Sequence, residues 1–135
     1  MSLEGKTAVV TGSGRAIGAA IAIRMAQDGA NVVVNSRSTP DEVEEIAKEC
    51  ESYGVKTLSV LADVSKREDV EELARLTFQK FSTVDILVNN VGISPTCPFL
   101  EMTDEEWHKV LAVNIDSLFY CSKAFVPSMV QRNWG

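Results

Sequence analysis

The sequence predicts an α/β fold, a doubly wound parallel sheet covered by helices on both faces. Three observations carry that prediction. Strand-like and helix-like stretches alternate along the 135 residues. The strand-like stretches, Ala8-Val9-Val10, Val32-Val33-Val34 and Ile86-Leu87-Val88 among them, are continuously apolar, as expected of strands buried on both sides. The first of them turns through Gly12-Ser13-Gly14-Arg15-Ala16-Ile17-Gly18 directly into a helix-like stretch. Helical crossovers of this length between parallel strands are right-handed, and the strand order they imply is 3-2-1-4. That order places a topological switch, and with it a ligand crevice, between strands one and four.

The elements follow in order. Ala8-Val9-Val10 reads as a buried strand. Ile17, Ile21 and Met25 recur every four residues and predict a helix to Asp28, ended by Gly29. Val32-Val33-Val34 is the second strand. Ser38-Thr39-Pro40 supplies a cap and a first-turn proline for a helix to about Ser52, with Asp41, Glu42, Glu44 and Glu45 crowding its positive end. Gly54 closes that helix, and Thr57 to Leu61 is the third strand. Ser65-Lys66-Arg67-Glu68 has the spacing of a capping box and predicts a helix to about Phe81. Val84 to Val88 is the fourth strand. A Gly-, Ser- and Pro-containing loop follows from Asn89 to about Met102. Thr103-Asp104-Glu105-Glu106 is a second capping box, opening a continuous helix that runs nearly to Gln131, with Pro127 as a kink or a late break.

Composition excludes several classes. A net charge of −6 argues against a nucleic-acid or anionic-membrane surface, both of which call for a basic face. No apolar run approaches the roughly 20 residues that span a bilayer, and Met1 to Gly5 carries no export signal. Cys50, Cys97 and Cys121 are widely spaced, and His108 is the one histidine, so no metal site is expected. Free thiols fit a reducing cytoplasm. A redox role for Cys97 beside Pro98 is the sharper alternative, and His108 as an acid is another; a capped, acidic helix favours a solvent-facing imidazole instead.

The glycine turn is the chemical signal. Glycines let backbone approach a ligand, and amides at a helix start, backed by the helix dipole, hold a pyrophosphate. The preceding strand and following helix give the pattern its specificity. The end of the second strand then bears on the cofactor. An acid there accepts the ribose 2′-hydroxyl of NAD and repels a 2′-phosphate. This chain has Asn35-Ser36-Arg37 instead, with Arg37 lying 19 positions after Gly18 and Arg15 projecting from the glycine turn. Two guanidiniums near one phosphate favour NADP(H) over NAD(H).

These residues resemble the short-chain dehydrogenase/reductase family along the whole chain. Its Thr-Gly-x-x-x-Gly-x-Gly motif matches Thr11 to Gly18, with Ala16 in place of the middle glycine. Its Asn-Asn-Ala-Gly segment matches Asn89-Asn90-Val91-Gly92, with Val91 as the departure. The resemblance implies a Rossmann-type sheet over residues 1–135. It implies cofactor contacts from Gly12, Ser13, Gly14, Arg15, Ile17, Gly18, Arg37, Asp63, Val64, Asn90 and Gly92. Val113-Asn114-Ile115 matches the segment holding the structural and proton-relay asparagine, so it also implies a catalytic role for Asn114. Among subfamilies, 3-oxoacyl-acyl-carrier-protein reductases are most similar. The partners implied are a nicotinamide dinucleotide, a small carbonyl or alcohol substrate in a full-length protein, and a second copy of the chain.

The family's acid–base chemistry uses a serine and a tyrosine whose lysine lies four residues on, lowering a phenol pKa that is ordinarily near 10. Here Tyr53 is followed at that spacing by Thr57 and Tyr120 by Ala124, and Lys123 falls three after Tyr120. The expectation is a Rossmann-type domain truncated after the fourth strand and its following helix, inactive alone. A non-catalytic dinucleotide-binding or assembly module is the alternative.

Overall fold

The computed structural model describes residues 2–135. Four parallel strands form one sheet: β1 (Thr7–Val10), β2 (Asn31–Ser36), β3 (Thr57–Leu61) and β4 (Ile86–Val88). Their order is β3-β2-β1-β4, as the alternation predicts. The crossovers carry α1 (Ala16–Gln27), α2 (Pro40–Glu51) and α3 (Arg67–Phe81). Register pairs Val9 with Val33 on one side and Leu87 on the other.

The continuous apolar runs divide between two cores because successive residues on a strand face opposite sides of the sheet. Val10, Val32 and Val34 pack with Ala22 and Ala26 of α1 and with Val43, Ala47 and Cys50 of α2. Val9, Val33 and Val60 face the other way and pack with Val70 and Leu73 of α3 and with Cys121 and Phe125. Gly18, Ala19, Ala22 and Ala26 make the buried side of α1, so that helix lies close to the sheet.

The C-terminal helical stretch departs from expectation. It is α4 (Asp104–Leu111), a wide π turn over Ala112–Asp116, then α5 (Ser117–Gln131). The capping box at Thr103 forms. The Glu106 amide donates to Thr103 Oγ1 at 3.2 Å, and Glu106 Oε2 accepts from the Thr103 amide at 2.8 Å. Pro127 sits inside α5 without ending it. The box expected at Ser65 does not form. Lys66 occupies the N-cap of α3, and Ser65 Oγ donates instead to Asp63 Oδ1 at 2.6 Å. At α2, Thr39 is the N-cap, but its hydroxyl bonds Ser36 Oγ at 2.6 Å and caps no helix amide. Among the described residues no helix is long and apolar enough to cross a membrane.

A charged latch closes the end of the sheet opposite the glycine turn. Asp85, only 3% exposed, accepts from the Thr7 amide at 2.9 Å and from Arg132 Nη1 at 2.7 Å. Arg132 also donates to the Val84 carbonyl. Lys6 Nζ lies 3.8 Å from Asp85 Oδ1 and 3.7 Å from the centre of the Trp134 ring. Removing a charge from water is unfavourable unless it is paired and hydrogen-bonded, and Asp85 is both.

Candidate functional site: a crevice at the topological switch

A cavity of about 710 Å³ opens at the C-terminal ends of the strands, over the glycine turn and the loop after β4. Both walls are held by backbone-directed side chains. Thr11 Oγ1 accepts from the amides of Asn90, at 3.0 Å, and Val91, at 3.3 Å. Asn90 Nδ2 donates back to the carbonyls of Thr11, at 2.9 Å, and Gly12, at 3.2 Å. The β1 and β4 ends are thus tied together.

Asn35 ties the β2 side. Its Oδ1 accepts from the Gly12 amide at 3.2 Å, and its Nδ2 donates to the carbonyls of Val60, at 3.2 Å, and Ala62, at 3.1 Å. Its own amide donates to Ser13 Oγ, while its carbonyl accepts from the Ser13 amide. The sequence showed Asn35 only as a missing acid. The signal available was a polar residue at the end of a buried valine run, since a buried carboxamide must find partners.

Two glycines are required by contact. Gly12 has φ +62°, and a Cβ there would lie 2.9 Å from Val91 Cγ2. A Cβ on Gly18 would strike the Gly12 carbonyl oxygen and approach Asn90 Nδ2 at 2.7 Å. Gly14 is less constrained, its nearest neighbours being Glu42 and Val43 at 3.4 Å. Ala16 has φ +49°, in the left-handed region that favours glycine, so the departure from the family motif strains the backbone. The amides of Ile17 and Gly18, in the first turn of α1, find no protein acceptor among the described residues and belong to the orphan donors of a helix start.

Of the predicted contact residues, Gly12, Gly14, Arg15, Ile17, Gly18, Arg37, Asp63, Val64, Asn90 and Gly92 all line the crevice. Ser13 does not. It is fully buried, with Oγ donating to the Val10 carbonyl at 2.6 Å and accepting from Asn35. Asn114 does not line it either. Its carboxamide clamps one residue of the loop, accepting from the Ile93 amide at 2.7 Å and donating to the Ile93 carbonyl at 2.9 Å. The neighbouring Val110 and Val113 do reach the cavity, with Glu106 and Lys109.

Charged residues line the crevice at several points: Arg15, Arg37, Glu42 and Asp63, and also Glu106 and Lys109. Arg15 and Arg37 are exposed and enter no ion pair among the described residues. Asp63 Oδ1 is already bonded to Ser65, and the Asp63 amide donates to Asp69 Oδ2 at 2.8 Å. At the far end Glu106 is held below the ordinary carboxylate range by hydrogen bonds from the Thr103 amide and hydroxyl. Cys97 also lines the crevice. His108 lies outside it, exposed, with Nδ1 2.7 Å from the Asp104 carbonyl.

Comparison with known proteins agrees with this geometry. The pattern defining short chain dehydrogenases matches residues 6–135. The chain is 35% identical over 130 residues to a 3-oxoacyl-acyl-carrier-protein reductase, FabG, of Staphylococcus epidermidis, covering 96% of this chain and 53% of that protein. It is 41% identical over 133 residues to glucose 1-dehydrogenase 2 of Bacillus subtilis, covering 97% and 51%. The chain therefore spans about half the length of these curated relatives. Among solved structures, a metagenomic short-chain oxidoreductase in complex with NADP superposes with a TM-score of 0.93 at 32% identity, over 100% of this chain and 61% of that one. A Serratia marcescens short-chain dehydrogenase/reductase variant gives 0.90 at 33%, over 95% and 52%. By sequence, sheet order and crevice alike, the chain belongs to the short-chain dehydrogenase family.

Proposed function

We propose that the chain is the dinucleotide-binding part of an NADP(H)-dependent oxidoreductase acting on a carbonyl or alcohol, with a 3-oxoacyl thioester as the favoured substrate class. The observation that carries this reading is the crevice at the switch between β1 and β4. Its floor presents the orphan amides of Ile17 and Gly18, and its rim presents the two unpaired guanidiniums of Arg15 and Arg37. These residues fit a dinucleotide. The helix start suits a pyrophosphate, the arginines suit a 2′-phosphate, and Asp63 and Val64 stand where the adenine would lie. The nicotinamide, when bound, supplies or accepts the hydride.

The protein's own residues bind and orient. Asn90 and Gly92 shape the wall beside the nicotinamide half. Asn114 acts through Ile93, fixing the loop that carries residues 93 to 97 into the crevice. In this reading Asn114 is a positioning residue for the proton path. Neither Tyr53 nor Tyr120 lines the cavity. In this reading the chain alone binds cofactor without turning substrate over, works in the cytoplasm and self-associates.

Thermal melting with added dinucleotide tests this. Ligand that binds only the folded state raises the melting temperature with its concentration over Kd. NADPH should raise it more than NADH, and Arg37→Ala should erase most of the difference. No shift with either dinucleotide would defeat the reading, as would steady NADPH oxidation by the purified 135-residue chain with carbonyl substrates.

A further inference from the structure

One charged group in the crevice has the wrong sign for a 2′-phosphate. Glu42, in the first turn of α2, lines the cavity with Arg15 and Arg37. It lies over Gly14. A Cβ on residue 14 would lie 3.4 Å from Glu42 Cβ and 3.5 Å from Glu42 Oε2, so the bare backbone at Gly14 is what the carboxylate lies against. Glu42 is half-buried and forms no ion pair with either arginine among the described residues. The nearby hydroxyls of Ser36 and Thr39 are bonded to each other. Three charges, two positive and one negative, thus line one cavity, none of them in an ion pair among the described residues.

Acidic residues in a first helical turn also answer the helix dipole. Asp41 occupies the same turn of α2, yet does not line the crevice. The two positions separate a local contact from a general field.

We propose that Glu42 sets the cofactor selectivity of this chain, its carboxylate accepting a ribose hydroxyl of an unphosphorylated dinucleotide and opposing the 2′-phosphate that Arg15 and Arg37 attract. The proposal rests on the crevice being a dinucleotide site. A carboxylate hydrogen-bonded to a hydroxyl stabilises the bound ribose. The same charge beside a phosphate dianion is repulsive, and at this half-buried, solvent-open site the repulsion is partly screened by salt. The arginines and Glu42 therefore pull in opposite directions, and the net preference for NADPH is narrower than the arginines alone would give.

The test is calorimetric titration of the 135-residue chain with NADPH and with NADH, for the unaltered protein, Glu42→Gln and Asp41→Asn. Glu42→Gln should raise the ratio of the NADH to the NADPH dissociation constant about fivefold, the scale of one screened charge interaction. Most of the change should appear as tighter NADPH binding, and it should shrink in high salt. Asp41→Asn removes the same charge one residue away and should leave the ratio within about twofold. An unchanged ratio in Glu42→Gln, with both dinucleotides still binding, would overturn the role of Glu42 and leave the crevice assignment standing. Equal changes in both variants would likewise overturn it, in favour of a general field. An unaltered chain that binds neither dinucleotide would bring down the crevice reading itself.

Discussion

The two halves of the sheet are finished to different degrees. In β1 and β2, residues 7–10 and 32–35 are all buried, and helices cover both faces. In β4, Ile86, Leu87 and Val88 are each only partly buried. Past β4 the exposed apolar residues accumulate: Phe99 at 78%, Leu100 at 95%, then Ile115, Leu118, Phe119 and Val130. The first half supplies a closed core and the rigid floor of the crevice. The second supplies its wall, and depends on polar ties to stay in place: Asn90 to Thr11, Asn114 to Ile93, Arg132 to Asp85. Burial holds one half, and directed hydrogen bonds hold the other.

The sharpest way to break that contrast is Arg132→Ala. It leaves Asp85 buried with only the Thr7 amide and a Lys6 nitrogen 3.8 Å away. Stranding a buried charge should lower unfolding stability by about 3 kcal/mol, read from urea denaturation. Arg24→Ala, which breaks the exposed pair with Asp28, should change it by under about 0.5 kcal/mol. Equal effects would contradict the latch. Next in size is association through the open face. Leu118→Glu, at a half-exposed position, should weaken self-association about tenfold in sedimentation equilibrium, which corresponds to about 1.4 kcal/mol. A chain that is monomeric without any substitution would dispose of the idea. Ala16→Gly addresses the closed half. Relieving a left-handed alanine should stabilise by about 0.5–1 kcal/mol, and a loss of stability would show that the strain is absent.

The smallest effect concerns the thiols. Burial raises Cys50 and Cys121 from an ordinary 9.0 to about 11. In the folded chain both keep a proton that the unfolded chain gives up earlier. Their contribution to stability is therefore complete below pH 9 and is lost as pH rises toward 11. At pH 8 a thiol reagent should modify Cys97 quickly and the other two only on unfolding. Rapid reaction of all three in native buffer would mean that α2 and α5 are loosely held.

Much of this was legible in the sequence, for identifiable reasons. The strand order and switch point follow from continuous apolar runs joined by long crossovers, and both are as predicted. The glycine turn was legible because its neighbours in sequence are its neighbours in space. What escaped was nonlocal or degenerate. The bonds of Asn35 reach Gly12, Val60 and Ala62, partners that only strand register brings together. Ser65 matched a capping box by spacing, but the helix starts one residue later and a nearby carboxylate takes the hydroxyl. Glu42 read as one of four acids answering a helix dipole, and its place over Gly14 depends on how α2 packs against the loop. The π turn left no trace in periodicity, because five residues are too few to show a changed pitch.

That wide turn sets the rotational phase of everything after it. Val113 faces the crevice and Phe125 faces the sheet, twelve residues further on. In an unbroken α-helix those two side chains would point about 120° apart. Taking one additional residue into a single turn cancels most of that rotation. A single side of the rod can then serve first as cavity wall and later as core. Excising one residue between 112 and 116 would let the turn relax to regular pitch with Phe125 still facing the sheet, whereas straightening the turn at full length would swing Phe125 outward by about 100°.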